Sequence, residues 1–155
     1  MGKLASVAAA LSVLGAALTA GSAIGASCPT IEVAAVAPHG EPGAQVIPIR
    51  GGGSVGVHSP PLVSTRDVVD ASASSADGTP GLNVRVGADA AERVRAYTAG
   101  HVGDRLAFLV DGHAQMVLTI RDPITGDGFW ISPMDPGAAK QLVSALQVCG
   151  LNPSH

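Results

Sequence analysis

The sequence predicts an α+β fold in which an antiparallel sheet carries two helices on one face, in the ferredoxin-like order β-α-β-β-β-α. Segment 82–86 alternates apolar and polar residues, as a half-buried strand does. Segment 106–110 is continuously apolar and precedes Asp111-Gly112, a dipeptide typical of tight hairpins. Two segments with apolar residues at helical spacing, 89–100 and 135–149, complete the pattern.

The composition excludes several classes of function. The chain has 155 residues, of which 46% are hydrophobic and 14% charged, so it is a packed domain rather than a disordered chain. A net charge of -3 and an aromatic content of 3% argue against nucleic-acid binding, which needs basic and stacking side chains. Composition alone names no activity.

The N-terminal segment, 1–26, has the features of a secretory signal peptide. Lys3 precedes an apolar run over 4–18, and small residues follow. We predict cleavage after Gly25 or Ala26 and a mature protein that is periplasmic or secreted, with no membrane span. A retained anchor is the alternative, but the run is rich in Ala and Gly and only weakly hydrophobic.

The two cysteines, Cys28 and Cys149, lie near the two ends of the mature chain. Disulfides persist outside the cytoplasm, so we predict a bond between them that would hold the N-terminal segment in place. Lipoprotein processing at Cys28 and free thiols are the alternatives. A metal site is not expected, because no histidine lies near either cysteine in the sequence.

The mature chain divides into a front rich in Pro and Gly and a more regular back. We expect a β-prone extension at 27–61, an α+β domain at 62–150 and a tail at 151–155, after the signal segment 1–26. Gly51–Ser54 is interpreted as a turn, because the Lys-Ser/Thr of a phosphate-binding loop does not follow it. The extension contains three short strand-like pieces, Thr30–Val36, Gln45–Ile49 and Val55–His58.

The first helix is predicted to begin at Asp89, which would cap it with Glu92 at the capping-box spacing, and to end at Gly100. Ala91, Val94 and Thr98 form its apolar stripe. Upstream, 62–72 is interpreted as a strand entering a turn and 73–81 as a polar loop.

After Asp111-Gly112 the strand 114–120 returns. Its alternation places Ala114 and Met116 on the core face and Gln115 toward solvent, with Val117 as an exception. A short strand at 129–131 follows, and Asp135-Pro136 opens the second helix.

Nucleophilic catalysis would need a set such as Ser132, His101 and Asp104. No Gly-x-Ser-x-Gly elbow is present, and Ser132 precedes Pro133 in a loop. Metal-ligand spacings such as His-x-x-x-His are also missing from the sequence. We therefore predict no enzyme activity, no cofactor and no metal.

A small secreted hydrolase is the alternative, since paired carboxylates can carry glycoside hydrolysis. The available residues are Asp104, Asp111, Asp122 and Asp127. Turns and loops explain most of them, because Asp111 belongs to the hairpin and Asp122 and Asp127 lie beside Pro or Gly.

Trp130 is the most informative aromatic residue. Phe129 and Ile131 take the core face of their strand, so Trp130 should point to the other side of the sheet. It would there contact an apolar polypeptide or be buried beneath the N-terminal strands, and both readings stay open. The candidate partner-binding residues are Trp130, Phe129, Asp111, Gly112 and His113.

The segment 97–112 joins Tyr97-Thr98, a glycine-containing turn and an apolar strand to Asp111-Gly112. With Pro60-Pro61-Leu62 upstream and Ile131-Ser132 downstream, it resembles the head subdomain of the first periplasmic domain of SecD, from the SecDF family of Sec translocase accessory proteins. The likeness extends over about 60–146.

This resemblance implies a noncatalytic module that contacts polypeptides or envelope protein partners and is linked to protein export. An edge strand or an apolar sheet face would make the contact. The proton-driven motion of the family is not implied, because the sequence lacks its membrane helices, and Val117-Leu118 replace a proline that the family often carries. A structural envelope protein, lipid-anchored at Cys28, is a third reading.

Overall fold

The computed structural model describes residues 27–151, so the predicted signal segment 1–26 lies outside the described residues. A 3₁₀ turn at Thr65–Asp67 precedes the fourth strand. In chain order the elements are β1 (Ile31–Ala35), β2 (Gln45–Pro48), β3 (Ser54–Val57), β4 (Val68–Ala76), β5 (Thr79–Val86), α1 (Ala88–Gly100), β6 (Arg105–Val110), β7 (His113–Thr119), β8 (Gly128–Ile131) and α2 (Pro136–Val148).

The predicted α+β class is confirmed, and β5 to α2 follow the predicted order β-α-β-β-β-α. The described strands form three antiparallel sheets, ordered β1-β6-β7, β4-β5-β8 and β2-β3. They divide in this way because β6 pairs with β1 on one edge and with β7 on the other, which leaves no edge for β5. The β-prone extension thus contributes β1 to the same sheet as the hairpin β6-β7.

The position of β6 explains its continuous apolar run, since both faces of this strand are covered. Leu106, Phe108 and Val110 belong to the larger hydrophobic core, to which α1 and α2 also contribute. Ala107 and Leu109 belong to a second cluster, which β2 and β3 cover. The sheet β1-β6-β7 therefore lies between two apolar layers.

The predicted hairpin between β6 and β7 is confirmed, with positive φ at Asp111 (49°) and Gly112 (72°). Beyond the turn, Ala114 pairs with Leu109 but Met116 pairs with Phe108, so Gln115 is an extra residue in a β-bulge. Ala114 and Met116 consequently face opposite clusters, and the prediction that they share a face is wrong.

The prediction of a loop over 73–81 is also wrong, because β4 and β5 form a long hairpin through Asp77-Gly78. Both turn residues have positive φ, 50° and 77°. The Ser and Ala residues of β4 have weak strand preference. Pairing along β5 and the packing of α2 on both strands stabilise the strand instead.

Helix α1 begins earlier than predicted. Gly87 is its N-cap residue, and the Gly87 N–H donates to the carbonyl of Asp67 at 2.9 Å, which fixes where the chain leaves β5. Asp89 lies within the first turn, and Glu92 pairs with Arg95 at 2.7 Å instead of capping the helix. The predicted capping box at Asp89 is therefore wrong.

Thr98 of α1 is a fully buried hydroxyl residue. Its Oγ1 donates to the carbonyl of Val94 at 2.8 Å and accepts the N–H of Ile124 at 2.9 Å. The hydroxyl thereby satisfies a backbone donor of the loop before β8, and it holds this loop against the helix.

Helix α2 begins as predicted. The Asp135 carboxylate accepts the N–H of Ala138 at 2.9 Å, and Pro136 occupies the first turn. Ala139, Leu142 and Leu146 form its buried stripe, at the helical spacing that the sequence shows over 135–149. Within residues 27–151, neither helix has the length and apolarity that a membrane span requires.

Candidate functional site

The predicted disulfide between Cys28 and Cys149 is present, with the two Cα atoms 5.8 Å apart. It ties the segment before β1 to the residue that follows α2. A lipid thioether would require the Cys28 sulfur, which this bond already uses. The structure therefore favours the disulfide over lipidation at this position.

Next to this bond lies a cavity of about 660 Å³, which we call the disulfide cleft. Its walls come from segment 27–29, the end of β6 with Asp111, the bulge residue Gln115, segment 133–135 and the first turns of α2. The volume is in the range of small-molecule sites in proteins. Segments distant in the sequence thus converge on one concave surface.

Both aspartates of the disulfide cleft are bonded to backbone. Asp111 Oδ1 accepts the N–H of Thr30 at 2.9 Å, and Asp135 accepts from Ala138 as described. Arg50 also lines the cleft and forms no ion pair with any residue in 27–151. The Arg50 N–H donates to the carbonyl of Ala114 at 2.9 Å, which places the end of β2 beside the bulge.

Gln115 is the functional candidate that sequence reasoning missed. It lines the disulfide cleft, and its Nε2 is buried with no hydrogen-bond partner in the described part of the chain. The alternation had placed this side chain in solvent. The one signal in the sequence was Val117, which breaks the alternation because the bulge shifts the register.

Trp130 points away from Phe129 and Ile131, as predicted: those two are buried, while Trp130 is half-buried on the other face of β8. It lies over Gly81, where an added Cβ would come within 2.7 Å of Trp130 Cζ2. Burial beneath the N-terminal strands is wrong, because β2 and β3 pack on β6 and β7.

The structure does not bring the five predicted contact residues together. Asp111, Gly112 and His113 are exposed at the hairpin tip, and Asp111 lines the disulfide cleft. Neither Phe129 nor Trp130 lines it. The Phe129 ring packs edge to face on Phe108, with centroids 5.4 Å apart.

The structure does not bring together the candidate nucleophilic set of Ser132, His101 and Asp104. His101 and Asp104 line a separate cleft that does not include Ser132. The His101 ring stacks on Tyr97, with centroids 3.9 Å apart, and His101 Nδ1 lies 2.7 Å from the Tyr97 carbonyl oxygen. Burial raises the pKa of Tyr97, and the Asp104 carboxylate adds to the effect.

The four aspartates of the hydrolase alternative are also dispersed. Asp104 and Asp111 line different clefts, while Asp127 pairs with Arg85 at 2.9 Å on the surface and Asp122 is exposed. No group of three potential metal ligands occurs in residues 27–151.

The sequence-family model of the SecDF P1 head subdomain matches residues 44–152. The chain belongs to this family. No curated protein sequence matches it. Among solved structures, one SecDF, described as a membrane component that enhances protein export, is 20% identical with a TM-score of 0.59, and the match covers 76% of this chain and 61% of that one.

A second SecDF structure, in a super-membrane-facing form, is 21% identical with a TM-score of 0.59. The match covers 76% of this chain and 18% of the SecDF chain. The chain therefore spans about three fifths of one SecDF structure and less than a fifth of the other. At these identities the structural likeness establishes a shared fold, and the family model establishes membership in the SecDF P1 head family.

Proposed function

We propose that the protein is an extracytoplasmic, noncatalytic module that binds unfolded polypeptide and supports protein export. Membership in the SecDF P1 head family supports the link to export. The disulfide supports the location, because such bonds persist mainly outside the cytoplasm.

The disulfide cleft is the observation that carries this proposal. Val110, Met134 and Leu142 give it apolar walls, and both of its aspartates are already bonded to backbone N–H groups. Such a surface offers burial to an apolar side chain and few competing charges, which suits an extended segment of unfolded protein.

Asp111, the first residue of the hairpin tip, lines this cleft. A bound chain that extends past Asp111 would touch the rest of the tip, Gly112 and His113. Trp130 offers a second contact on the solvent-facing side of the sheet β4-β5-β8. Phe129 holds that strand in the core, so its part in the contact is to position Trp130.

Photo-crosslinking tests the proposal. A photoreactive phenylalanine analogue is introduced at Gln141, which lines the cleft, and in a second variant at Ser144, which is exposed on the same helix outside it. We expect a permanently unfolded, alkylated polypeptide to be captured at Gln141 and not at Ser144. Equal capture at both positions, or capture at neither, would contradict the proposal.

Mass spectrometry of the exported protein tests the predicted processing. We expect a mature N-terminus at Ala26 or Ser27 and no acyl group on Cys28. An acylated Cys28 would instead support the lipid-anchored reading.

A further inference from the structure

The disulfide between Cys28 and Cys149 also forms part of a cavity wall. Cys28 lines the disulfide cleft together with its neighbours Ser27 and Pro29. Both bonded cysteines are exposed, so a thiolate from solvent can approach the bond in the folded protein. Exposed disulfides exchange with thiols more readily than buried ones and often act in regulation. The wall of the cleft therefore contains a bond that a reductant can open.

Segment 27–29 has little besides this bond to hold it in place. None of its three residues forms a hydrogen bond with another residue of 27–151. Pro29 is buried, but ordering three residues costs more conformational entropy than one buried proline side chain returns. The segment therefore depends on the Cys28 sulfur for its place in the wall.

The residue after this segment and the partner cysteine have anchors of their own. The Thr30 N–H donates to Asp111 Oδ1 at 2.9 Å, and the Thr30 carbonyl accepts the Asp111 N–H at 3.0 Å, so release of the chain would stop at Thr30. At the other end of the bond, the Cys149 N–H donates to the Ala145 carbonyl at 3.0 Å. Opening the disulfide would thus move one wall of the cleft and leave β1 and α2 in place.

We propose that the bond between Cys28 and Cys149 is a redox-sensitive closure of the disulfide cleft, opened by a dithiol such as the Cys-x-x-Cys pair of a thiol oxidoreductase. One thiolate of the dithiol attacks a sulfur of the bond, and the other cysteine leaves as a thiolate. The second thiol of the dithiol then attacks the mixed disulfide and releases the first cysteine. Two electrons and two protons pass to the protein, which gains two thiols, while the dithiol becomes a disulfide.

In the reduced protein, segment 27–29 leaves the wall, and the cleft buries less of an apolar ligand. This inference rests on the proposed function and states how that site is regulated. The oxidised protein is the binding form, and the reduced protein is the weak form.

NMR relaxation tests the movement without any ligand. In the oxidised protein we expect backbone order parameters of about 0.85 at the amides of Cys28, Val33 and Cys149. Reduction with dithiothreitol should lower the value at Cys28 below about 0.6 and leave the other two unchanged, because Val33 lies in β1 and Cys149 is bonded to α2. An unchanged value at Cys28 would overturn the inference. Loss of order at all three amides would also overturn it, because the bond would then hold the whole fold.

Peptide binding tests the consequence for the cleft. The probe is a short peptide, capped at both ends, with a central Leu-Val-Leu stretch. Reduction should weaken its binding about five- to tenfold, as loss of part of an apolar wall does. The double variant Cys28→Ser, Cys149→Ser should bind as weakly as the reduced protein, with or without dithiothreitol.

The matched control closes the link in a form that reductants do not cleave. Diiodomethane inserts one methylene group between the two sulfurs of the reduced protein, and this product should bind the probe as the oxidised protein does, in dithiothreitol as well. Equal affinity of the oxidised and reduced proteins would overturn this inference and leave the proposed function intact. Absence of any binding to the oxidised protein would overturn the proposed function and this inference together.

Discussion

The two three-stranded sheets of this protein differ in how many of their faces are covered. The sheet β1-β6-β7 has the main core on one side and the cluster of β2 and β3 on the other. In the sheet β4-β5-β8, Leu82, Val84 and Val86 face the core, while Asn83 and Arg85 are exposed. The hydrophobic pattern of a strand thus reports the number of its covered faces, continuous in β6 and alternating in β5.

The disulfide joins these two regions, because Cys28 precedes β1 and Cys149 follows α2, which packs on β4 and β5. Replacing both cysteines by serine should lower the free energy of unfolding by about 4 kcal/mol, since the unfolded chain regains the freedom of a loop of over one hundred residues. Urea unfolding measures the change. Reductant should lower the free energy of unfolding of the natural protein to that of the variant. An unchanged urea midpoint in the variant would contradict the expectation.

A matched pair of substitutions tests the difference between the covered and the open sheet. Leu109→Ala removes a side chain that faces the second cluster and should cost about 3 kcal/mol. Asn83→Ala changes the corresponding outer face of β5, which is exposed, and should stay within about 0.5 kcal/mol. Urea unfolding measures both changes. A similar loss of stability in the two variants would contradict the conclusion that one face of the sheet β4-β5-β8 is open to solvent.

The exposed face of the sheet β4-β5-β8 is covered at one place, where Trp130 lies over Gly81. A Cβ on Gly81 would lie 2.6 Å from the Ile131 carbonyl oxygen, and backbone cannot yield as a flexible side chain does. Gly81→Ala should therefore cost about 2 kcal/mol and shift the fluorescence of the single tryptophan.

Gly100→Ala is the control, because nothing lies within 4 Å of a Cβ at Gly100, in the last turn of α1. This variant should be as stable as the natural protein or more stable by up to about 1 kcal/mol. Equal destabilisation by the two alanines would show that the contact with β8 is not the cause.

The smallest expected effect concerns Asp67, just before β4. Burial by itself would raise the pKa of Asp67, but hydrogen bonds from Ser64 at 2.9 Å and an ion pair with Arg93 at 3.0 Å outweigh it and lower the pKa. The folded pKa is thus below the unfolded value of about 3.9, so the ionised carboxylate stabilises the fold above that pH and the contribution is lost as pH falls through the folded pKa.

Asp67→Asn should accordingly make stability depend less on pH at the acid side. Between pH 5 and the acid limit of folding, the free energy of unfolding of this variant should fall by about 1 kcal/mol less than that of the natural protein. Unfolding followed by circular dichroism at several pH values measures it. Asp122→Asn, at an exposed residue without a bonded partner in 27–151, should leave the profile of the natural protein unchanged. A profile for Asp67→Asn as steep as that of the natural protein would count against the role of this carboxylate.

Local patterns predicted much of the fold. Asp111-Gly112 fixed the hairpin because both positions adopt positive φ, and the apolar stripe of α2 is as expected. The hairpin of β4 and β5 escaped prediction although Asp77-Gly78 is the same kind of turn. The Ser and Ala residues beside that turn carry no hydrophobic alternation, and the strand depends on tertiary packing.

The disulfide cleft could not be predicted from the sequence, because it is built from segments that no local pattern connects. Cys28, Arg50, Gln115 and Asp135 meet only after the sheets pack. The bulge that directs Gln115 depends on pairing between β6 and β7, and the alternation gave only the mismatch at Val117. Trp130 was placed on the correct face, because period two is a local property of a strand.

The bond between Cys28 and Cys149 encloses almost every described residue in one covalent ring. Cleavage of a single peptide bond between these cysteines therefore leaves both fragments in the same molecule, with the elements still tethered to their neighbours. In a compartment that contains proteases, a nicked copy would keep its mass on a non-reducing gel and would separate into two pieces only after reduction.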